Sequence, residues 1–217
     1  MTRTLAPEAL DPAAALDRLL EGNERFIGHR SEHTGKRFDE SHALGQLPFA
    51  IVLGCADSRT PVEIVFDQGL GDLFVLRVAG HVVAPSIVGS VEFAISKFGT
   101  RLVVVMGHTR CGAIEATVEE VLTGDLASSR NQRVITDRIR PHVAALVRAK
   151  LPVDEASTTA LMREAERANV RASVDHLRHG SQMIEELLLS ERIAVVGLEY
   201  ELETGRVHLL DDLGERL

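Results

Sequence analysis

Two short apolar runs, Phe49-Ala-Ile-Val-Leu53 and Leu102-Val-Val-Val-Met106, constrain the chain most, because each is followed by a glycine, Gly54 or Gly107. Uninterrupted apolar runs of this length read as strands covered on both faces, the condition of parallel strands between helices. Each strand stops at its glycine and releases the next residues into a loop at the C-terminal edge of the sheet. Between and after the strands lie helical stretches, so the expected class is α/β. It has a mostly parallel central sheet flanked by helices, an N-terminal helical arm and C-terminal hairpin-like strands.

The rest of the chain fills in that plan. Residues 11–28 carry Ala15, Leu16, Leu19, Leu20 and Phe26 in helical rhythm behind an Asp11-Pro12 start signal. With so little chain before the first strand to pack on, this helix is expected to lie across a partner subunit. Residues 29–46 read as a polar connector in which His29 and His33 are exposed. A short helix is expected over 62–66, a strand over 72–78, and a helix over 85–97 between Pro85 and Gly99. A further helix follows over 112–122, its positive end favouring thiolate at Cys111. The stretches 128–150 and 157–189 are long, charged and helical, broken at Leu151-Pro152, and read as solvated faces with one buried stripe. Residues 193–200 and 206–210 flank Glu203-Thr-Gly205 as a hairpin end. The 217 residues thus suit one domain, with 1–45 as arm and connector and 46–217 as core.

Composition excludes several classes of partner. A net charge of −8 with no basic stripe argues against nucleic acid. No apolar stretch approaches twenty residues, so no membrane span is expected. The N-terminus lacks a secretory h-region, and two free thiols fit a reducing, cytoplasmic setting.

Those two thiols are the only cysteines, and each sits in a ligand-rich motif: Cys55-Ala-Asp57-Ser-Arg59 after the first strand, His108-Thr-Arg-Cys111 after the second. Either motif alone is weak. At the ends of two adjacent parallel strands they bring two thiolates, an imidazole and a carboxylate to one point, which is a tetrahedral zinc site. Closed structural sites are mostly richer in cysteine. Here Cys55, Cys111 and His108 leave a fourth position for Asp57 or for water. Asp57 has a second option two residues away, since the planar fork of Arg59 holds a carboxylate bidentately.

The two motifs resemble those of the β-class carbonic anhydrases, with similarity over residues 46–113 and a looser match over 193–200. The resemblance implies one zinc ion per chain on Cys55, His108 and Cys111, and a catalytic dyad of Asp57 and Arg59. It implies substrate contacts from Gln46, from an apolar pocket at Phe74, Ala79 and Phe93, and from the backbone amide of Gly112. The implied reaction is reversible hydration of carbon dioxide to bicarbonate and a proton by a zinc-bound hydroxide. Relatives with this constellation that hydrolyse carbon disulfide, or a zinc-stabilised module without turnover, are the alternatives. A homodimer or homotetramer with its pocket completed across the interface is implied too. The chain departs from the family at Val78, His81, Phe93 and Ala113, none of them a ligand or a dyad member. A subgroup of the family has a second bicarbonate site of a Trp, an Arg and a Tyr; Arg77 and Tyr200 match the last two, but Gln46 holds the Trp position and the chain has no Trp, so that site is not expected. Among nine histidines, His81 is the candidate proton shuttle.

Overall fold

The computed structural model describes residues 9–32, 43–127, 129–152 and 154–210. Most of the connector, His33 included, lies outside the described residues, as do residues 1–8. The elements run α1 (Pro12–Ile27), β1 (Ala50–Gly54), α2 (Val62–Val65), β2 (Leu73–Arg77), α3 (Pro85–Phe98), β3 (Leu102–His108), α4 (Gly112–Thr123), α5 (Arg130–Ala149), α6 (Glu155–His179), α7 (Gln182–Leu189), β4 (Ala194–Tyr200) and β5 (Val207–Leu209). They form a five-stranded sheet of order β2-β1-β3-β4-β5, parallel except for β5, which runs antiparallel to β4. No described helix is long and apolar enough to cross a membrane.

Alternation along the strands divides the core in two. Ala50, Val52, Leu102, Val104 and Met106 pack on the α1 and α2 side with Leu16, Leu19 and Phe66. Ile51, Leu53, Val103 and Val105 pack on the other side with Val91 and Ile95 of α3, Val174 of α6 and Ile184 of α7. Every residue of β1 and β3 is therefore buried, which explains their unbroken apolar sequences. A third cluster, Ile114, Val118, Ile139, Val143 and Ala165 of α4, α5 and α6, closes over the C-terminal edge and takes in both cysteines.

Three expectations need correction. The N-terminal helix does not lack a surface of its own chain to pack on: Ala15, Leu16 and Leu19 are buried against β1 and β3, and Gly22 lies so close to α2 that an added Cβ would sit 1.9 Å from the Phe66 carbonyl oxygen. Position in sequence misled here, because the sheet face left open by α3, α6 and α7 is the one that α1 covers. The stretch 157–189 is two helices, parted at Gly180 and restarted by Ser181, whose side chain accepts from the Ile184 amide. Strand β3 also runs two residues past Met106, so His108 ends a strand rather than standing in a loop.

Asn23 ties α1 down. Its amide donates to the carbonyls of Val65 at 3.1 Å and Gly205 at 2.9 Å, and its oxygen accepts from the Val207 amide at 2.9 Å. Replacing it with Ala strands these partners in a buried site. Asn23→Ala should cost about 3 kcal/mol in urea unfolding, several times the effect of an exposed polar-to-Ala change on the same helix.

Candidate metal centre

The order β2-β1-β3 places a topological switch between β1 and β3, since β1 leads to β2 on one side and the chain returns to β3 on the other. Ligands of open α/β sheets sit beyond the strand ends at such a point. The register pairs Gly54 with Met106, so Cys55 leaves β1 level with the last turns of β3. Cys111, the N-cap residue of α4, comes back over the same edge. The Cys55 and Cys111 sulfurs stand 4.0 Å apart, well beyond the roughly 2.05 Å of a disulfide. Together with a ring nitrogen of His108, they form a buried group whose ligand atoms all lie within 4.8 Å of one another.

Each ligand is prepared by its surroundings. His108 Nδ1 lies 2.9 Å from the Thr109 carbonyl, which can only accept, so the proton sits on Nδ1. That leaves Nε2 buried beside the sulfurs with no hydrogen-bond partner of ordinary geometry; burial lowers the His108 pKa, but the Cys55 sulfur outweighs it and raises it, so without a metal this nitrogen attracts a proton. A buried acceptor without a partner is costly unless something electrophilic meets it. The Cys55 sulfur accepts backbone N–H groups from Asp57 and Gly80, both at 3.4 Å. Hydrogen bonding from the Cys111 thiol, then the His108 ring, and then these amides pull the Cys55 thiol far down against the opposing effect of burial. The same bond and burial push Cys111 up, because a second thiolate would face the first across 4.0 Å without a cation. Of the pair, then, Cys55 ionises first, and the helix-end argument for Cys111 is outweighed. Two thiolates beside a directed imidazole are the donors of a soft or borderline divalent metal ion. Such an ion removes both the sulfur repulsion and the orphaned nitrogen, and the residues fit it.

Asp57 was expected either on the metal or on Arg59, and it is on Arg59. The guanidinium donates through Nε to Oδ1 at 2.9 Å and through Nη2 to Oδ2 at 2.7 Å, and the Arg59 amide adds a third bond at 2.9 Å. These contacts hold the Asp57 carboxyl well below the usual carboxylate range. Arg77 braces the same loop from below, donating to the Cys55 carbonyl at 2.9 Å and to the Asp57 carbonyl at 2.6 Å. The opposite loop is under strain: Arg110 has φ 56°, which for a non-glycine costs about 1–3 kcal/mol. Several contacts hold it there. The Thr109 amide donates to the Tyr200 carbonyl, Arg110 pairs with Glu203 at 2.9 Å, and Arg59 donates to the Arg110 carbonyl at 3.2 Å.

Comparison with known proteins bears on this arrangement directly. Residues 50–207 match the carbonic anhydrase family. Carbonic anhydrase 2 of Mycobacterium tuberculosis is 38% identical over 206 residues, covering 94% of this chain and 95% of its own length. The chain belongs to the β-carbonic anhydrase family. The carbonic anhydrase of Mycolicibacterium smegmatis is 37% identical over 207 residues, covering 94% of this chain and 96% of its own. In fold, the β-carbonic anhydrase CafA of Aspergillus fumigatus superposes with a TM-score of 0.70 at 22% identity, covering 92% of this chain and 90% of that one. A β-carbonic anhydrase of Sordaria macrospora, described as tetrameric, gives 0.68 at 22% identity, covering 91% and 97%. As a member of this family the chain is an enzyme, a lyase of the carbonate dehydratase class.

Of the expected substrate residues, two lie beside the β-carbonic anhydrase centre. Ala79 precedes Gly80, whose amide meets Cys55, and Gly112 opens α4 with nothing within 4 Å of the space a Cβ would fill. Gln46 is exposed at the opposite end of β1, next to Gly71. Phe74 sits three register pairs before the Gly54–Arg77 edge, roughly 10 Å along the strand, and stacks with Phe93 and Phe98 at centroid distances of 6.4 and 6.0 Å. Within one chain these three residues do not meet the metal ligands.

Sequence reading missed Glu166 and Asn169, one turn apart on α6 and both buried. The available signal was two polar residues on the stripe that also carries Leu161, Ala165 and Val170. Burial pushes the Glu166 carboxyl up to about 7, and its Oε1 accepts the Cys111 amide at 3.2 Å. Asn169 donates to His81 Nε2 at 2.9 Å and to the Gly80 carbonyl at 2.9 Å. His81 is thus no surface shuttle. It is 1% exposed, and burial takes its pKa down from 6.5 to about 4.

The sign of the resulting pH dependence follows. Between pH 4 and 6.5 the unfolded chain binds a proton at position 81 that the folded chain refuses, so stability rises with pH across that window. The contribution is complete above about 6.5 and amounts to roughly 3 kcal/mol. In metal-free protein, His81→Asn, which tolerates the positive φ at this position, should flatten the pH 4–6.5 segment of the unfolding free energy relative to wild type.

Proposed function

We propose that the protein catalyses the reversible hydration of carbon dioxide to bicarbonate and a proton, with one zinc ion per chain held by Cys55, His108 and Cys111. The observation that carries this reading is the carboxylate–guanidinium dyad built onto the loop of a metal ligand: Asp57 is clamped by Arg59, and its amide meets the Cys55 sulfur at 3.4 Å. A purely structural metal has no use for such a dyad. Zinc in this donor set supplies a Lewis acid that brings the pKa of water towards neutrality. We assign Asp57 to the dyad rather than to the metal shell, because both its oxygens are engaged by Arg59.

Because Arg59 stays charged, Asp57 stays ionised and can only accept. It takes the proton of an attacking water or hydroxide in hydrogen bond and turns the lone pair towards the carbon. Gly112, at the positive end of α4 with open space before it, offers an amide to the substrate oxygen that gains charge. Ala79 provides apolar wall.

Gln46, Phe74 and Phe93 reach such a site only from a second copy, so the functional unit we propose is a homodimer or homotetramer. The exposure of Leu44, Leu47, Leu70 and Phe93, all on or near the β1–β2 side of the sheet, supports it.

Stopped-flow indicator assays should show carbon dioxide hydration that is lost with a chelator and restored by zinc; hydrolysis of carbon disulfide instead would move the reading to the rival substrate. Asp57→Asn should keep one zinc per chain by elemental analysis while turnover falls about 10²-fold or more. Unchanged hydration in that variant would remove the dyad from the mechanism. Phe93→Asp should shift sedimentation towards the monomer and lower activity at least tenfold, without loss of zinc, although it lies apart from its own chain's ligands.

A further inference from the structure

Cys111 is gripped at its own backbone by one side chain, Glu166. Its Oε1 accepts the Cys111 amide at 3.2 Å, and the neighbouring Arg110 amide is directed at the same carboxyl. The residue is 3% exposed, and its Oε2 has no protein partner. On packing grounds it is out of place. It stands on the buried stripe of α6 between Ala165 and Val170, where an apolar side chain would bury no polar atom. The loop contact is the one return visible for that cost. The other restraints on the strained segment act on its neighbours: the buried Thr109 amide donates to the Tyr200 carbonyl, and the Arg59 bond to the Arg110 carbonyl and the Arg110–Glu203 pair lie at the surface, where water and salt weaken them. None of these reaches Cys111.

We propose that Glu166 is a positioning residue of the metal centre: by holding the Cys111 amide from α6 it fixes the direction in which the Cys111 sulfur meets the ion. The role rests on the metal-centre reading above. It requires an acceptor oxygen at the full length of a glutamate side chain, and it does not require charge. Partners that orient ligands in this way are worth about 10- to 100-fold in metal affinity.

Three full-length variants separate reach, charge and packing. Glu166→Gln keeps the oxygen and drops the charge; Glu166→Asp keeps the charge and withdraws the oxygen by one methylene; Glu166→Leu removes both and packs well. Zinc affinity is measured by competition with a chromophoric chelator. Ligand geometry is read from the visible absorption of the cobalt(II)-loaded proteins, and folding from urea midpoints of the metal-free proteins. Expected are wild-type affinity and bands for Gln, about 10- to 100-fold weaker zinc binding and altered cobalt bands for Asp and Leu, and metal-free midpoints that do not fall in step. Should Leu fail to fold, the Gln–Asp contrast still decides. Equal affinity and spectra in all variants would overturn the proposal, as would losses that merely track metal-free stability, or a Gln variant as impaired as Asp. Wild-type protein that takes up no zinc would remove this inference and the metal centre together. Normal zinc binding without carbon dioxide hydration would remove the proposed reaction alone.

Discussion

The hydrogen-bonded pairing of β1 with β3 is the constraint on which the site depends. The two strands are forty-seven residues apart in sequence, and their register sets Gly54 beside Met106. A shift by one residue would turn Val52 and Val104 to the wrong face of a sheet buried on both sides. It would also carry Cys55 out of reach of His108. Core packing and ligand placement are therefore enforced by one ladder: the apolar side chains that select the register are what bring the sulfur and the imidazole together.

Once the ligands converge, the difficulty is electrostatic. Two sulfurs 4.0 Å apart in an apolar cluster cannot both be charged without help. The chain supplies part of it through backbone amides, which carry no net charge and lose no side-chain freedom when they point at Cys55. Those amides are available because the segments bearing them are irregular: the loop at Asp57, and the 3₁₀ turn Ala79–His81 with Gly80 at φ 63°. The strain at Arg110 belongs to the same design. Regular structure ends at β3 and resumes at α4, and the intervening residues are bent so that His108 and Cys111 face one point.

What could be read in advance was whatever depends on local pattern. The strands 102–106 and 193–200, the helix start and stop signals Asp11, Pro85 and Gly99, and the cluster of Cys55, His108 and Cys111 declare themselves through runs, punctuation and residue type. What escaped depends on long-range packing. The seat of α1 is decided by which sheet face the later helices leave bare, and Leu16 and Leu19 look the same whether they meet their own sheet or a partner's. Glu166 and Asn169 sit in a helix dense with charge, so only their place on the apolar stripe distinguishes them from solvated neighbours such as Glu164 and Arg171. His81 was misjudged for a related reason: residue type suggested proton exchange, whereas burial and the Asn169 bond hold it neutral.

Two carboxyls, Asp57 and Glu166, address the two loops, one part-exposed and one buried, and their surroundings give them opposite characters. Asp57 faces a half-exposed guanidinium and accepts three N–H bonds, so it stays ionised and can only accept. Glu166 lies among apolar side chains of α6 with a single close bond, and burial raises it to about 7. Exchanging their environments would exchange their characters: a buried Asp57 would gain a proton and would no longer be an acceptor alone. An exposed Glu166 would surrender its hold on Cys111 to solvent. The chemistry assigned to each residue follows from where the fold puts it, part-exposed beside a guanidinium for Asp57 and buried on the apolar stripe of α6 for Glu166.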